Sequence, residues 1–258
     1  MISINLARPR FGYPWQHRMF ALPAGSTRED WMNTALRLTA SQKAMLAETT
    51  LAAGLNGEQR RALVACAAMV AYQAEDVLFH EHEEARYFYC VLGGYVRLYR
   101  LGTDGREADI RICEPGESFG ECLIIDGEHY YYHAQATEHT VLARFDLRAV
   151  RQLLDEQPRI ARAMMRSLSQ HLLSTMDCLA SNRMETAPQR VAHYLLENCL
   201  PEGITASMRL PFQKSLLARK LGLAPEALSR AFSALRPAGV TVRGRAIAIS
   251  DINALRQV

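Results

Sequence analysis

Glu226, Ser229 and Arg230 stand three and four residues apart, a spacing that places them together on one face of a helix. Their chemistry complements the edges of base pairs. Arg230 can donate two parallel bonds to the O6 and N7 of guanine, Glu226 can accept from an exposed amino group of cytosine or adenine, and Ser229 can touch a thymine methyl or a nearby phosphate. A good bidentate contact contributes roughly 1–3 kcal/mol of base discrimination, which makes Arg230 the dominant reader of the three. Lys214, Arg219, Arg243 and Arg245 surround this group and suit phosphates, which give affinity without sequence information.

Residues 213–235 must position these side chains. Leu216, Leu217 and Leu221 recur at helical spacing before Gly222, and Leu228, Phe232 and Leu235 do so after Pro225. A helix can stop on Gly222 and restart with Pro225 at its first position, giving two short helices around a tight turn. A helical hairpin inside a core has the same pattern, so the flanks decide. Residues 208–212 read as a short strand, and 240–242 with 246–249 form a hairpin closed by Arg243-Gly244-Arg245. A helix-turn-helix followed by a basic-tipped hairpin is a winged helix, whose second helix reads the major groove. One local feature disagrees: Ala224 stands at the cap before Pro225, where Ser or Thr would satisfy a free N–H.

Charge distribution points the same way. The 258-residue chain has a formal net charge of +3, but residues 187–258 carry ten Lys and Arg against four Asp and Glu. A basic C-terminal domain on a mildly acidic body marks where a polyanion would bind. The six cysteines (66, 90, 113, 122, 178, 199) show no Cys-x-x-Cys pair and no His at finger spacing. They read as free thiols in a reducing cytoplasm. Neither a signal peptide nor a membrane span is expected. No nucleophile–base set, metal cassette or phosphate loop stands at recognisable spacing, so the chain does not read as an enzyme.

Upstream, residues 1–27 carry Pro9, Pro14 and Pro23 among aromatics and arginines and read as an arm packed on the body. His17 is its one candidate ligand for a cofactor. Residues 28–53 are helical in pattern, and Asn56-Gly57-Glu58 opens a helix expected to run to about residue 71. Six β-prone runs follow at 77–79, 87–92, 95–100, 109–113, 133–137 and 141–145, separated by turns such as Gly93-Gly94 and Thr103-Asp104-Gly105. Their even spacing predicts a small antiparallel barrel or jelly roll. A short helix at 147–153 precedes a long one from Pro158 to about Arg183. On it Met165, Leu168, Leu172, Thr175 and Leu179 form a three-four seam for a homodimer. Ile160, Met164, Leu173 and Met176 widen that face enough to pack on the barrel too.

The order of parts resembles the CRP/FNR superfamily of bacterial transcription regulators, across roughly residues 50 to 258. Pro115-Gly116-Glu117-Ser118-Phe119-Gly120-Glu121 is similar to the effector-pocket signature of cyclic-nucleotide-binding domains. Asp104-Gly105-Arg106-Glu107 and Leu92-Gly93-Gly94-Tyr95-Val96 match the family's two earlier turns. The resemblance implies an α+β chain: an N-terminal extension with a helix (1–48), an effector-sensing antiparallel β-roll of jelly-roll type (49–146), a short helix and the long dimerisation helix (147–186), and a C-terminal winged helix-turn-helix (187–258). Glu226, Ser229 and Arg230 match the Glu-x-x-Ser-Arg pattern of the FNR-like branch, which implies TTGAT-type half-sites in an inverted repeat of double-stranded DNA. RNA polymerase is an expected partner.

The effector pocket departs from the cyclic-nucleotide pattern. The family's Arg-Ser pair is replaced by Glu128-His129-Tyr130-Tyr131-Tyr132-His133, and no Arg or Lys occurs from 126 to 141. A buried phosphate without a cation costs several kcal/mol, so cyclic AMP is not the expected effector. Gly116, Glu117, Phe119, Gly120, Glu121, Tyr130, Tyr131 and Tyr132 are the expected pocket residues. The family's usual turn Gly before the second strand is replaced by His82. No Cys precedes Cys66, which removes the N-terminal ligands of an iron–sulfur sensor. The superfamily also holds haem-based sensors of nitric oxide and carbon monoxide. Should haem bind, His17, His82, His129 and His133 are the candidate ligands. A rival of another class is a ligand-binding or haem-storage module whose winged helix serves assembly and does not act on DNA.

Overall fold

The computed structural model describes residues 38–125 and 127–258. The arm at 1–27, with His17, and the start of the helical stretch at 28–53 lie outside them. Within the described part of that stretch the helix is α1, Ala40–Ala47, followed by a 3₁₀ turn at Thr50–Ala52. Thr39 caps α1, accepting from the Gln42 amide while the Gln42 side chain accepts from Thr39 N–H. Asn56 and Gln59 cap α2 (Gly57–Ala65) in the same reciprocal way.

The expected extension of α2 to residue 71 does not occur. The chain leaves the helix at Cys66, and Ala67–Tyr72 forms β1, paired antiparallel with β8 (Thr140–Asp146) from Ala67↔Phe145 to Tyr72↔Thr140. The segment is apolar enough for either state; a strand partner seventy residues away decides it.

The other strands are β2 (Val77–Phe79), β3 (Tyr87–Gly93), β4 (Val96–Leu101), β5 (Glu107–Cys113), β6 (Ser118–Phe119) and β7 (His133–Ala136). They form two antiparallel sheets ordered β1-β8-β3-β6 and β2-β7-β4-β5. Phe88 and Phe145 stack inside, with ring centroids 4.6 Å apart, and Phe119 lies on Tyr89 at 5.2 Å. At Gly94 the backbone takes φ +76°, and an added Cβ would lie 2.5–2.8 Å from Thr140 and the His139 carbonyl. Only glycine fits there. His82 adopts φ +69°, so the missing turn glycine leaves a left-handed backbone that a non-glycine residue must bear.

Asp146 caps α3 (Leu147–Glu156), and Pro158 opens α4 (Pro158–Met184). The first turns of α4 bury Ile160, Ala163, Met164 and Ser167 on the β-roll. Leu173 and Met176, expected to pack there as well, are exposed. Two residues then lead into α5 (Ala187–Asn198), which packs with α6 (Lys214–Lys220), α7 (Pro225–Ala234) and α8 (Ile252–Leu255) on a sheet ordered β11-β12-β10-β9. Its strands are β9 (Leu200–Glu202), β10 (Thr205–Arg209), β11 (Val240–Arg243) and β12 (Ala246–Ile249). The strand expected at 208–212 ends at Arg209, and β9 was not expected. Val191, Leu195, Leu217, Leu228, Leu235 and Ile247 fill this second core.

Candidate nucleic-acid interface and effector stretch

Helices α6 and α7 meet at Gly222, whose φ of +61° closes the turn. Beyond it, Ala224 is extended (φ −66°, ψ 149°) and contributes no side-chain cap, so the first turn of α7 relies on Pro225 lacking an N–H. Leu228, Ala231 and Phe232 turn into the core. That leaves Glu226, Ser229 and Arg230 exposed on the opposite face, as their spacing predicts. A cleft of about 1010 Å³ opens beside them, lined by α7, the wing strands and Lys214. Lys214 holds its ammonium 5.9 Å from the Phe232 ring centroid, which keeps a charge at the start of α6. Arg243 and Arg245 stand exposed at the wing, and Arg245 also donates to the Pro211 carbonyl at 3.2 Å. Arg219 differs from the expectation. Its Nη1 lies 3.2 Å from Asp109 Oδ2, on the β-roll.

On α4, Met165, Leu172 and Leu179 are exposed and Leu168 partly so, with Thr175 exposed but back-bonded to the His171 carbonyl at 2.8 Å. The whole seam faces outward.

The effector stretch is more tightly closed than its sequence indicates. Phe119 and Tyr130 are core residues: the Tyr130 ring stacks 3.5 Å from Phe79, and its hydroxyl donates to the Tyr87 carbonyl at 2.8 Å. Burial pushes the Tyr130 phenol up to about 12. Gly120 takes φ +80°, and its N–H donates to the Tyr132 hydroxyl at 2.9 Å. Tyr131 is a correction. It is 56% exposed, at a bend that precedes β7.

Glu121 is buried and pairs with His171, which ties the stretch to α4. Arg111, from β5, donates to the Ser118 carbonyl at 3.4 Å and pairs with Glu117 at 3.3 Å. Burial raises the Glu117 carboxyl, but Arg111, Lys220 and the Glu114 amide together bring it below the usual range. The region is therefore not free of cations. The cation-free window at 126–141 misses Arg111, which stands on β5 six residues before its partner Glu117. Ser118 Oγ, Ser167 Oγ and Glu121 Oε2 are buried without a partner among the described residues.

Among the described residues, the histidines proposed as haem ligands, His82, His129 and His133, do not converge. His82 is exposed, 3.8 Å from Glu81. His129 is exposed and bridges to Glu84 only through its backbone. His133 is buried at the far side of the roll, its Nδ1 3.3 Å from His80 Nδ1 and its ring stacked on Tyr99 at 4.9 Å. Burial and His80 lower its pKa, with Glu81 and Glu107 opposing. Among the described residues no group of three or more His, Cys, Asp or Glu could hold a metal ion. The six cysteines are free thiols, and burial pushes Cys113 up to about 12. No helix of the described residues is long and apolar enough to cross a membrane.

Two family models match in the order of the parts: a cyclic nucleotide-binding domain over residues 69–157 and a Crp-like helix-turn-helix domain over residues 189–258. The chain belongs to the CRP/FNR superfamily of transcription regulators. The nitrogen fixation regulation protein FixK of Rhizobium meliloti is 32% identical over 148 residues, which are 57% of this chain and 65% of that protein. A solved structure from Ruegeria pomeroyi is 33% identical, with a TM-score of 0.61 over 84% of this chain and 96% of its own. FixK2 of Bradyrhizobium japonicum is 27% identical, with a TM-score of 0.63 over 74% and 96%. The superfamily is non-enzymatic, and its helix-turn-helix is a DNA-binding domain.

Proposed function

We propose that this chain is a homodimeric regulator that reads TTGAT-type inverted repeats and senses an effector other than cyclic AMP in its β-roll. The observation that carries the reading is the face of α7. Glu226, Ser229 and Arg230 project from it while Leu228, Ala231 and Phe232 hold it in the core. In this reading Arg230 takes guanine, Glu226 an amino group, and Lys214, Arg243 and Arg245 the phosphates. The dimer forms along Met165, Leu168, Leu172, Thr175 and Leu179, which gives the two-fold symmetry an inverted repeat requires. RNA polymerase would be the partner on the promoter.

The effector reading rests on Arg111. It is already engaged by Glu117, so it is not free for a cyclic phosphate. The histidines at 82, 129 and 133 do not fit an axial haem ligand directed into this stretch, which favours a self-closed pocket. The test is anisotropy of a labelled TTGAT-N4-ATCAA duplex over a salt series. Binding that weakens steeply with salt and exceeds that of a scrambled duplex supports the reading. Salt-insensitive oligomers with no duplex binding support the assembly module instead.

A further inference from the structure

The winged helix does not hang freely from α4. Arg219 Nη1 lies 3.3 and 3.2 Å from the two carboxylate oxygens of Asp109, whose other face is held by Arg97. One residue on, Lys220 pairs with Glu114. Tyr95 and Ile112 of the β-roll are buried in the winged-helix core, Tyr95 edge-on to Phe212 at 5.1 Å. Behind the turn, Arg190 Nη1 donates to Asn182 Oδ1 at 2.6 Å and to the Leu221 carbonyl at 2.8 Å, fixing the end of α6 to the end of α4.

One of the four cations suited to phosphate, Arg219, therefore already faces a β-roll carboxylate. Arg219 gives Nη1 to both oxygens of Asp109, so a phosphate that draws this guanidinium away must compete with the ion pair. Asp109, Glu114 and Glu117 are ion-paired with Arg219, Lys220 and Arg111, so a duplex meets α6 cations already taken by β-roll carboxylates. We propose that Asp109 and Glu114 clasp α6 onto the β-roll through Arg219 and Lys220, and that a duplex must compete with this clasp. The clasped chain is the weaker DNA binder. The inference rests on the DNA-reading function above and adds its regulation. The clasp also adjoins the effector stretch, because Glu117 shares Arg111 with it and feels Lys220. Anything that repositions Glu117 would therefore alter the grip on α6.

The test compares full-length wild type with Asp109→Asn/Glu114→Gln. Duplex affinity and amide hydrogen exchange across residues 214–222 are both measured. Exposed and half-exposed ion pairs are individually weak, so the expected gain is about three- to tenfold tighter binding, with faster exchange in α6. Glu114→Gln alone leaves the Arg97–Asp109 pair intact and should move both readouts the same way by about twofold. Glu48→Gln/Glu58→Gln removes the same charge from exposed sites on the N-terminal helices and should move neither. Unchanged or weaker binding by the double variant would overturn the inhibitory role, as would equal tightening by the control. Unchanged exchange would overturn the clasp itself. A chain that bound no duplex at all would refute the DNA reading and the inhibition with it, while the exchange data would still decide the contact.

Discussion

Replacing Leu172 by Ala should dissociate the dimer without unfolding either domain. Leu172 is 62% exposed on α4, so most of its side chain is available for burial by a partner. The substitution removes three carbons, about 2.4 kcal/mol at ~0.8 kcal/mol per buried group. Scaled by the open fraction, this is about 1.5 kcal/mol in each protomer, and the two-fold axis counts it twice. The dimer should weaken by about 3 kcal/mol, roughly 100-fold in dissociation constant. Sedimentation equilibrium across a concentration series measures this directly, and circular dichroism checks that the fold survives. Leu200→Ala, at an equally exposed site on β9, is the control and should leave the association constant unchanged. Equal association of Leu172→Ala and wild type would refute the seam, as would an equal loss from the control.

His171→Ala strands the buried Glu121 carboxylate and should cost about 2 kcal/mol in urea unfolding; Glu121→Gln in the same chain should recover most of it, and no recovery would contradict the pairing. Gly94→Ala must bear φ +76° and a Cβ inside contact distance of Thr140, so a loss of at least about 2 kcal/mol is expected in thermal melts, and an unchanged midpoint would show that the turn can relax. The lowered pKa of His133 means that the folded chain resists protonation there. The associated stability is present above the ordinary value of 6.5 and is lost as pH falls through it towards the lower folded value. The urea midpoint should therefore drop between pH 7.5 and 5.5, and His133→Asn should reduce that drop; an identical drop in both would refute the assignment. Millimolar cyclic AMP should leave the melting temperature unchanged, whereas a rise of several degrees would show a nucleotide site.

The DNA-reading end was legible because its determinants are local. Gly222, Pro225 and the leucine spacing lie within one short segment, and helical geometry alone decides that Arg230 faces away from Leu228. The strands from 77 to 145 were legible for the same reason, being punctuated by turns. What sequence reasoning missed depends on partners distant in the chain. Residues 67–72 become a strand only because 140–145 pair with them. The two-residue β6 has no signal of its own. His171 reaches Glu121 through the docking of α4. Tyr131 and Tyr132 look alike in sequence, but at the bend before β7 the first is a surface residue and the second a partner of Gly120. Nor does a sequence show that Arg219, a surface cation on a basic helix, is engaged by a β-roll carboxylate.

The central claim is that α7 reads bases through Arg230, and one measurement bears on it most directly. Affinity of wild type and Arg230→Ala is determined for TTGAT-N4-ATCAA and for the same duplex with its guanines replaced, at one salt concentration. The account predicts that wild type prefers the guanine-bearing site by roughly 1–3 kcal/mol per half-site and that Arg230→Ala loses this preference while remaining dimeric. Retention of the full preference by Arg230→Ala would contradict it.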